Sequence, residues 1–329
     1  MNKAKVKEED YINFLIGTPK VCSATEAERV QPEGKNKAAH DAFTRLLHRL
    51  EPDAEVLWEE GSREVKRKEG IIVIDDSTLD HVYSNKMELV SYHWSGKNHE
   101  VVKGINLVTL LWTQGDRHIP CDYRIYEKEG KTKNDHFIDM IEEAKKRGFE
   151  PECVVFDSWY SSLANLKQIR NYNWFWLTRI KSNRKVNPDK KGLQQVKEVE
   201  IGEEGRIVQL EGYGLVKVFK IVVKDNDIEY WVTNKLEMGE LERIKYANFA
   251  WTIETYHRGI KQYCCIERAQ VRSGRAQRNH IGLALRAFLR LESHCYHKFI
   301  SWFQAKTDII RGAVRAYLTN PIYTFSSTA

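Results

Sequence analysis

Three acidic residues lie where their carboxylates could act together. Asp76 and Asp157 each follow a short apolar run typical of a buried strand, and Glu254 lies in a segment with helical periodicity. A buried carboxylate is unfavourable unless it is paired or bound to a metal. Carboxylates that converge from separate elements can hold two divalent ions about 3.5–4 Å apart, which activate a nucleophile and stabilise the leaving oxygen. The sequence therefore predicts metal-dependent phosphoryl transfer with two Mg²⁺ ions, for which Mn²⁺ can substitute.

Asp75 competes with Asp76 for the first acidic position. Successive side chains of a strand leave opposite faces of the sheet, so only one of the two can join Asp157. A single aspartate at a strand end is more often a cap or a turn residue than a metal ligand. The order of the three acids, with a β-rich segment before Glu254, favours the ligand interpretation.

The segment around Glu254 predicts an amphipathic helix within residues 246–272. Glu254 borders the apolar stripe of this helix and shares a neighbouring stripe with Arg258, so an i,i+4 ion pair is the alternative to a catalytic role. The apolar residues that recur at helical spacing are Phe249, Ile253, Tyr256, Ile260 and Cys264.

This segment resembles the third acidic motif of DDE transposases from bacterial insertion sequences, in the cut-and-paste group with a Y…R…E…K signature. The resemblance implies that Glu254 is catalytic and that Lys261, two helical turns later, contacts DNA. Ala250 stands where the family has an arginine, and Tyr246 lies one place out of register with the family tyrosine. The residues that match the motif are Trp251, Ile253, Glu254, Lys261, Gln270 and Arg272.

The same resemblance selects between the two neighbouring aspartates. Asp76-Ser77-Thr78 matches the Asp-x-Thr of the family better than Asp75-Asp76-Ser77 does, so Asp76 is the predicted first acid. A tryptophan in the strand before the helix stacks a flipped base in one hairpin-forming relative, and a core position is the alternative for this residue. The predicted DNA contacts are Tyr246, Arg258, Lys261, Arg272 and Trp231.

Hydrophobic patterning predicts an α/β fold. Two helices are expected at 134–147 and 160–171, and a third, long helix at 279–304. The order of three strands, helix, strand, helix, strand is that of the ribonuclease H-like core of the resembling family, a mixed five-stranded sheet with flanking helices. The predicted strands are 70–76, 101–113, 118–126, 153–157 and 173–180.

The chain divides into five predicted parts. Residues 1–69 form an N-terminal helical region with a linker, which either recognises DNA ends or caps the core. The core occupies 70–181 and 229–272, a β-rich insertion separates its parts at 182–228, and a C-terminal helical segment spans 273–329. The resemblance supports the insertion, because the related transposases carry one between their second and third acids.

The net charge of +6 is modest, but basic residues concentrate at 258–290, beside the predicted catalytic helix. This concentration favours a phosphate-rich partner, with a solvated helical surface as the alternative. The six cysteines form no CxxC pair and are predicted to be buried free thiols in a reducing compartment. No apolar run reaches the roughly 18 residues of a spanning helix, so a cytoplasmic protein without a membrane partner is expected.

These observations together predict a bacterial DNA transposase that is nucleoid-associated when on DNA. The resemblance implies cleavage of phosphodiester bonds at transposon ends and transfer of the freed 3′-hydroxyl to target DNA by a homodimer. Two alternatives remain open from the sequence alone. One is a decayed or repurposed DNA-binding protein without catalysis, and the other is a nuclease of the same fold that lacks strand transfer.

Overall fold

The computed structural model describes residues 4–32, 34, 37–95, 100–223 and 227–321. The chain forms two compact units, one from residues 1–53, 85–88 and 258–329 and the other from residues 54–84 and 89–257. The helices are α1 (Glu8–Gly17), α2 (Ala24–Arg29), α3 (His40–Arg49), α4 (Glu55–Gly61), α5 (Lys133–Lys146), α6 (Leu163–Asn171), α7 (Glu240–Tyr263), α8 (Gly274–Lys298) and α9 (Trp302–Thr319). The strands are β1 (Ile71–Asp80), β2 (Ser91–Ser95), β3 (Glu100–Gln114), β4 (Arg117–Tyr126), β5 (Cys153–Phe156), β6 (Trp176–Ile180), β7 (Lys185–Asn187), β8 (Gln194–Gln195), β9 (Arg206–Leu210), β10 (Gly214–Val222) and β11 (Ile228–Thr233).

The second unit is built on one mixed sheet. Strand β1 is an inner strand of this sheet, antiparallel to β3 and parallel to β5, and β5 is parallel to β6. The parallel connections run through α5 and α6, because parallel neighbours need a crossover. The five predicted strands correspond to β1, β3, β4, β5 and β6, so the predicted mixed sheet with flanking helices is confirmed.

The β-rich segment extends this sheet. Strand β11 pairs with β6 on one side and with β10 on the other, and β9, β7 and β8 follow outward. In β10, Val216 and Val218 are buried while Leu215 is exposed, the alternation of a strand with one covered face. The described strands of the predicted insertion therefore continue the sheet of the core.

The centre of the sheet is fully buried because helices cover it. Residues 71–74 of β1 are all buried, as expected of a strand covered on both faces. Helix α5 begins with a capping box between Thr132 and Asp135 and turns Phe137 and Ile141 into the core. This packing fixes the middle of β1, where Asp75 and Asp76 follow the buried run.

The first unit is helical, and its C-terminal part differs from the prediction. The single helix predicted at 279–304 is two helices, because α8 ends at Phe299 in a left-handed conformation (φ 54°) and Ser301 caps α9. A side chain at Gly259 would come within 2.8 Å of the Trp302 ring and 2.9 Å of the Phe288 ring. The break between the helices places Trp302 against this glycine.

The prediction of six free thiols is wrong for two of them. Cys22 and Cys265 form a disulfide, while the other four cysteines are buried and free. The two partners lie 243 residues apart, so no local motif indicates the pairing, which only the helical packing of the first unit creates. Within the described part of the chain, no helix is both long and apolar enough to cross a lipid bilayer.

Candidate active site

The register of β1 and β5 brings two aspartates together. The last paired residues are Ile74 and Phe156, and each is followed directly by an aspartate, Asp75 and Asp157. Equivalent positions of two paired strands face the same side of the sheet. Asp75, and not Asp76, is therefore the neighbour of Asp157 on this face.

Electrostatics identify the same neighbours of Asp75. Burial raises the pKa of its carboxyl well above the usual range, and the charges of Asp76, Asp157 and Glu254 raise it further. The backbone N–H of Asp76 opposes this shift by donating to the carboxylate. Asp75 is thus close enough to Asp157, at the end of β5, and to Glu254, on α7, to feel their charges. A bound cation would reduce the repulsion among these carboxylates.

Asp76 faces the other side of β1 and already has its partners. Its carboxylate accepts from the Lys133 ammonium at 2.7 Å, from the Tyr160 hydroxyl at 2.7 Å and from the Asn106 amide at 2.8 Å. Burial alone would raise the pKa of Asp76, but the ion pair and these hydrogen bonds outweigh it and hold the pKa below its usual value. The predicted first acid is therefore a paired carboxylate that ties β1 to α5.

Asp157 directly follows the last residue of β5, and 42% of its side chain is exposed. The Arg179 guanidinium, from β6, is 3.1 Å from this carboxylate and 2.7 Å from that of Glu229. Burial lowers the pKa of Arg179, but the two carboxylates outweigh this and raise it. A cation with 41% exposure thus stands beside the second acid.

Glu254 lies on the exposed side of α7, next to the buried stripe that the sequence predicts. Ile253, Tyr256 and Ile260 are buried, which confirms that stripe. Among the described residues, the Glu254 side chain has no ion pair or hydrogen bond, so the alternative pair with Arg258 is not formed. No group of three or more His, Cys, Asp and Glu in the described ranges is close enough to hold a metal ion. The link between Glu254 and the aspartates is therefore electrostatic in this conformation.

The residues predicted to contact DNA differ in how far they are exposed to solvent. Arg258 and Arg272 are exposed, and Lys261 is bound to Glu267 at 2.8 Å with 25% of its side chain exposed. Tyr246 is 4% exposed and donates its hydroxyl proton to Glu242. This tyrosine is a core residue here and presents no surface to DNA.

Trp231 is also placed differently from the prediction of base stacking. It is 8% exposed, and its indole N–H donates to Glu229 at 2.8 Å. The Arg179 guanidinium lies 5.8 Å from the ring centroid, so one face of the ring already has a cation–π partner. The core interpretation that the sequence left open for this tryptophan describes what the structure shows.

Sequence reasoning weighed Asp75 but preferred Asp76, and it did not single out Lys133 or Arg179. For Asp75 a signal existed, because an aspartate directly follows each of the apolar runs 71–74 and 153–156, and these two runs pair in parallel register. For Lys133 and Arg179 the sequence contained no such signal. Lys133 contacts Asp76, which is 57 positions away, and Arg179 contacts Asp157, which is 22 positions away. These contacts depend on the folded sheet.

Comparisons with known proteins agree with this architecture. Residues 66–290, more than half of the chain, match the model of a family described as the transposase DDE domain. No curated protein matches the sequence. Among solved structures, the piggyBac transposase synaptic complex with hairpin DNA is similar with a TM-score of 0.52 and 13% identity, over 98% of this chain and 76% of that chain.

Two further solved structures are more distant. The Drosophila P element transposase strand transfer complex has a TM-score of 0.30 and 10% identity, over 53% of this chain and 37% of that chain. The Mos1 strand transfer complex has a TM-score of 0.21 and 11% identity, over 53% of this chain and 58% of that chain.

Proposed function

Because the chain belongs to the transposase DDE domain family and is a DNA transposase of that type, we propose that Asp75, Asp157 and Glu254 are its catalytic carboxylates. The observation that carries this assignment is the register of β1 and β5, whose last pair is Ile74 and Phe156. The residues that follow this pair, Asp75 and Asp157, therefore occupy equivalent positions on one face. The effect of the Glu254 charge on Asp75 adds the third acid. Asp76, the residue predicted from the Asp-x-Thr motif, instead holds Lys133 on the opposite face.

The donor atoms of these three residues are of the chemical type that divalent cations bind, although in the described residues they do not converge to coordination distance. Asp75, Asp157 and Glu254 offer carboxylate oxygens from two strands and a helix, and Mg²⁺ and Mn²⁺ both bind such oxygens. The raised pKa of Asp75 reflects first its burial and then the neighbouring negative charges, which a cation would neutralise. Membership of the family implies dependence on a divalent metal, and we take the ions to be two Mg²⁺. Bound there, they would activate the attacking oxygen and stabilise charge on the leaving oxygen.

The side chains themselves position the phosphodiester. Asp75 and Asp157 present their oxygens from the rigid sheet, and Glu254 approaches from α7. Arg179 lies against Asp157 and is partly exposed, so its guanidinium is available to a phosphate oxygen held at the same carboxylates. Water and then a 3′-hydroxyl serve as the nucleophiles, so no covalent bond between enzyme and DNA is required.

The substrates follow from the same reaction. We propose transposon-end DNA as the cleaved substrate and target DNA as the acceptor, with two copies of the chain acting on paired ends. The similar piggyBac structure is a synaptic complex with hairpin DNA, which supports a DNA partner here. The exposed Arg258 and Arg272 supply positive charge for phosphate contacts.

The test of this function uses the purified full-length chain and duplexes from the DNA that flanks its gene. We expect Mg²⁺ or Mn²⁺ to be required for nicking at a defined position, and a scrambled duplex to remain uncut. The same ions should raise the thermal stability of the protein, because a ligand that binds only the folded state stabilises it. Absence of both nicking and metal stabilisation, with either ion, would reject the proposal.

Phosphate contacts can be counted from the salt dependence of DNA binding. We expect Arg258→Ala to reduce the slope of log K against log salt concentration by about 0.9, the value for one lost phosphate contact. Lys261→Ala should have a smaller effect, because Glu267 already neutralises that ammonium. Arg311, exposed on α9 and paired with Asp308, provides a matched control. Equal slopes for Arg258→Ala and Arg311→Ala would show that DNA does not contact Arg258.

A further inference from the structure

The chain between β6 and β9 carries a concentration of positive charge that carboxylates leave largely uncompensated. Residues 181–197 contain six basic residues and a single acid, Asp189. Lys191 lies 3.9 Å from Asp189, and in the described part of the chain none of the other five has a carboxylate at ion-pair distance. The next acid, Glu198, accepts a backbone N–H at 3.0 Å. We refer to the six basic residues as the basic segment, which consists of Lys181, Arg184, Lys185, Lys190, Lys191 and Lys197.

The basic segment rests on a rigid support. Strand β7 pairs with β8 and with β9, and the side chains of Val186 and Val196 are fully buried. The backbone N–H groups of residues 196 and 197 donate to the carbonyls of residues 184 and 182, at 2.8 Å and 3.2 Å. The basic side chains at these positions are therefore held near one another, and their summed positive potential attracts a polyanion.

The basic segment begins beside a candidate catalytic acid. Strand β6 runs parallel to β5, and Thr178 pairs with Phe156. The residues that follow this pair, Arg179 and Asp157, therefore occupy equivalent positions, and their side chains contact each other at 3.1 Å. Lys181 lies two residues beyond Arg179, which corresponds to about 7 Å of extended chain.

The surface from Arg179 to the basic segment is open to solvent. The Arg179 side chain is 41% exposed, and residues 181–183 are all exposed. Ile180 is buried, because it is the alternate residue of the strand and faces the other side of the sheet. The nearby carboxylate of Glu229 is already bound to Arg179 and to the Trp231 indole. A DNA backbone that passes Arg179 therefore meets the basic segment next.

We propose that the basic segment binds the phosphate backbone of duplex DNA on one side of the cleavage position, an inference that rests on the proposed function. One DNA strand rises by about 3.4 Å per nucleotide, so the first contact, at Lys181, falls roughly two nucleotides from the phosphate beside Asp157. The remaining cations of the basic segment continue the contact away from the acids.

The composition of the basic segment favours a duplex backbone over other partners. Residues 181–197 contain no aromatic residue, whereas grooves for single strands combine cations with rings on which bases stack. Lysine is depleted in the core of protein–protein interfaces, and contacts from lysine to phosphate position DNA without reading its sequence. An acidic protein as the partner is an outcome of the test.

The experiment measures the affinity of the metal-free, full-length protein for a gene-flanking duplex at several salt concentrations. We expect the triple variant Lys181→Ala/Lys185→Ala/Lys197→Ala to reduce the slope of log K against log salt concentration by about 2.7, because each lost phosphate contact reduces it by about 0.9. The affinity of this triple variant at about 0.1 M salt should fall at least about tenfold.

The matched control, Lys68→Ala/Lys145→Ala/Lys146→Ala, removes the same charge elsewhere. These three lysines are exposed and lie where the parallel strands β1 and β5 begin, at the opposite end of the sheet from Asp157. Slope and affinity of the control should stay near those of wild type. Melting curves show whether each variant is folded, and Lys→Gln substitutions at the same positions replace the Ala set if it is not.

A second measurement locates the contact along the DNA. A duplex shortened on one flank of the cleavage position should bind the triple variant and wild type equally well. A duplex shortened on the other flank should keep the difference between the two proteins. If both shortened duplexes keep the difference, the basic segment does not lie beside one flank, and the inference is wrong.

Three further results overturn the inference. An unchanged salt slope in the triple variant shows that the basic segment does not contact DNA. An equal loss in the control variant shows that any reduction of positive charge has the same effect. A loss of binding to polyglutamate as large as the loss of binding to DNA identifies the basic segment as a surface for acidic proteins.

The proposed function is tested separately in the same preparations. If wild type fails to nick gene-flanking duplexes but the triple variant still has the reduced salt slope, the proposed function fails and the basic segment remains a surface that binds duplex DNA. If wild type nicks and the triple variant keeps the slope of wild type, the reverse holds.

Discussion

Asp75→Asn is expected to lower metal-dependent nicking by at least about two orders of magnitude, the scale on which the loss of a charge-stabilising active-site group acts. Asp76→Asn should keep its rate within about tenfold of wild type. The difference arises because Asp75 shares a face with Asp157, whereas Asp76 holds Lys133 on the other side of β1. The measurement is single-turnover nicking of a gene-flanking duplex with saturating Mg²⁺.

The same two variants should move stability in opposite directions at neutral pH. The raised pKa of Asp75 means that its ionised form disfavours the native state, so Asp75→Asn should stabilise the protein. The gain in the free energy of unfolding of Asp75→Asn over wild type is largest above the folded-state pKa of Asp75, and it shrinks as the pH falls through that pKa. It vanishes below about pH 4, near the pKa of an unfolded aspartate. Melting temperatures across this pH range, without metal, check the prediction.

For Asp76→Asn, the expected change in stability at neutral pH has the opposite sign. Its lowered pKa means that the carboxylate stabilises the native state above about pH 4, and that this contribution is lost as the pH falls through the folded-state pKa. Asp76→Asn leaves the Lys133 ammonium without its charge partner, so it should cost about 2 kcal/mol at neutral pH. If Asp76→Asn instead abolishes nicking and Asp75→Asn does not, the Asp-x-Thr motif was the correct guide to the first acid.

The sheet could be predicted because its signal is local. Residues 71–74 and 153–156 are apolar runs too short for helices, and burial on both faces requires just such runs. The identity of the first acid depended on two different kinds of information. Motif matching favoured Asp76, while the pairing of Ile74 with Phe156 places Asp75 beside Asp157. Register is a property of two strands together, and a motif in one strand does not contain it.

Other features depend on contacts that no local pattern encodes. The break after α8 places Phe299, which is 93% exposed, in a left-handed conformation that a bulky residue rarely adopts. Beyond the break, the Trp302 ring packs on Phe288 of α8 with 5.0 Å between the ring centroids. The partners of Cys22 and Cys265 are distant in sequence, and so are those of Asp76 and Asp157. The second strand, β2, escaped prediction because it is short and half exposed. Two of its residues, Tyr92 and Trp94, are exposed aromatic residues.

Glu254→Gln is the second variant with a large expected effect. The substitution keeps the shape of the side chain but removes one of the charges that, together with burial, raise the pKa of Asp75. Nicking should fall by at least about two orders of magnitude, while affinity for uncut duplex DNA stays near that of wild type. Stability without metal should hold or rise, because one of the crowded negative charges is gone.

The response to metal distinguishes a ligand from a structural glutamate. If Glu254 binds the cation, the stabilisation by saturating Mg²⁺ or Mn²⁺ should shrink by about 1.4 kcal/mol for each tenfold loss of affinity. Glu240, which lies on the same helix and forms an ion pair with Arg243 at 2.6 Å, shows what a structural glutamate does. Glu240→Gln should lower stability equally with and without metal and leave nicking intact. If Glu254→Gln behaves as Glu240→Gln does, then α7 contributes no carboxylate to the active site, and the third acid must be sought on another element.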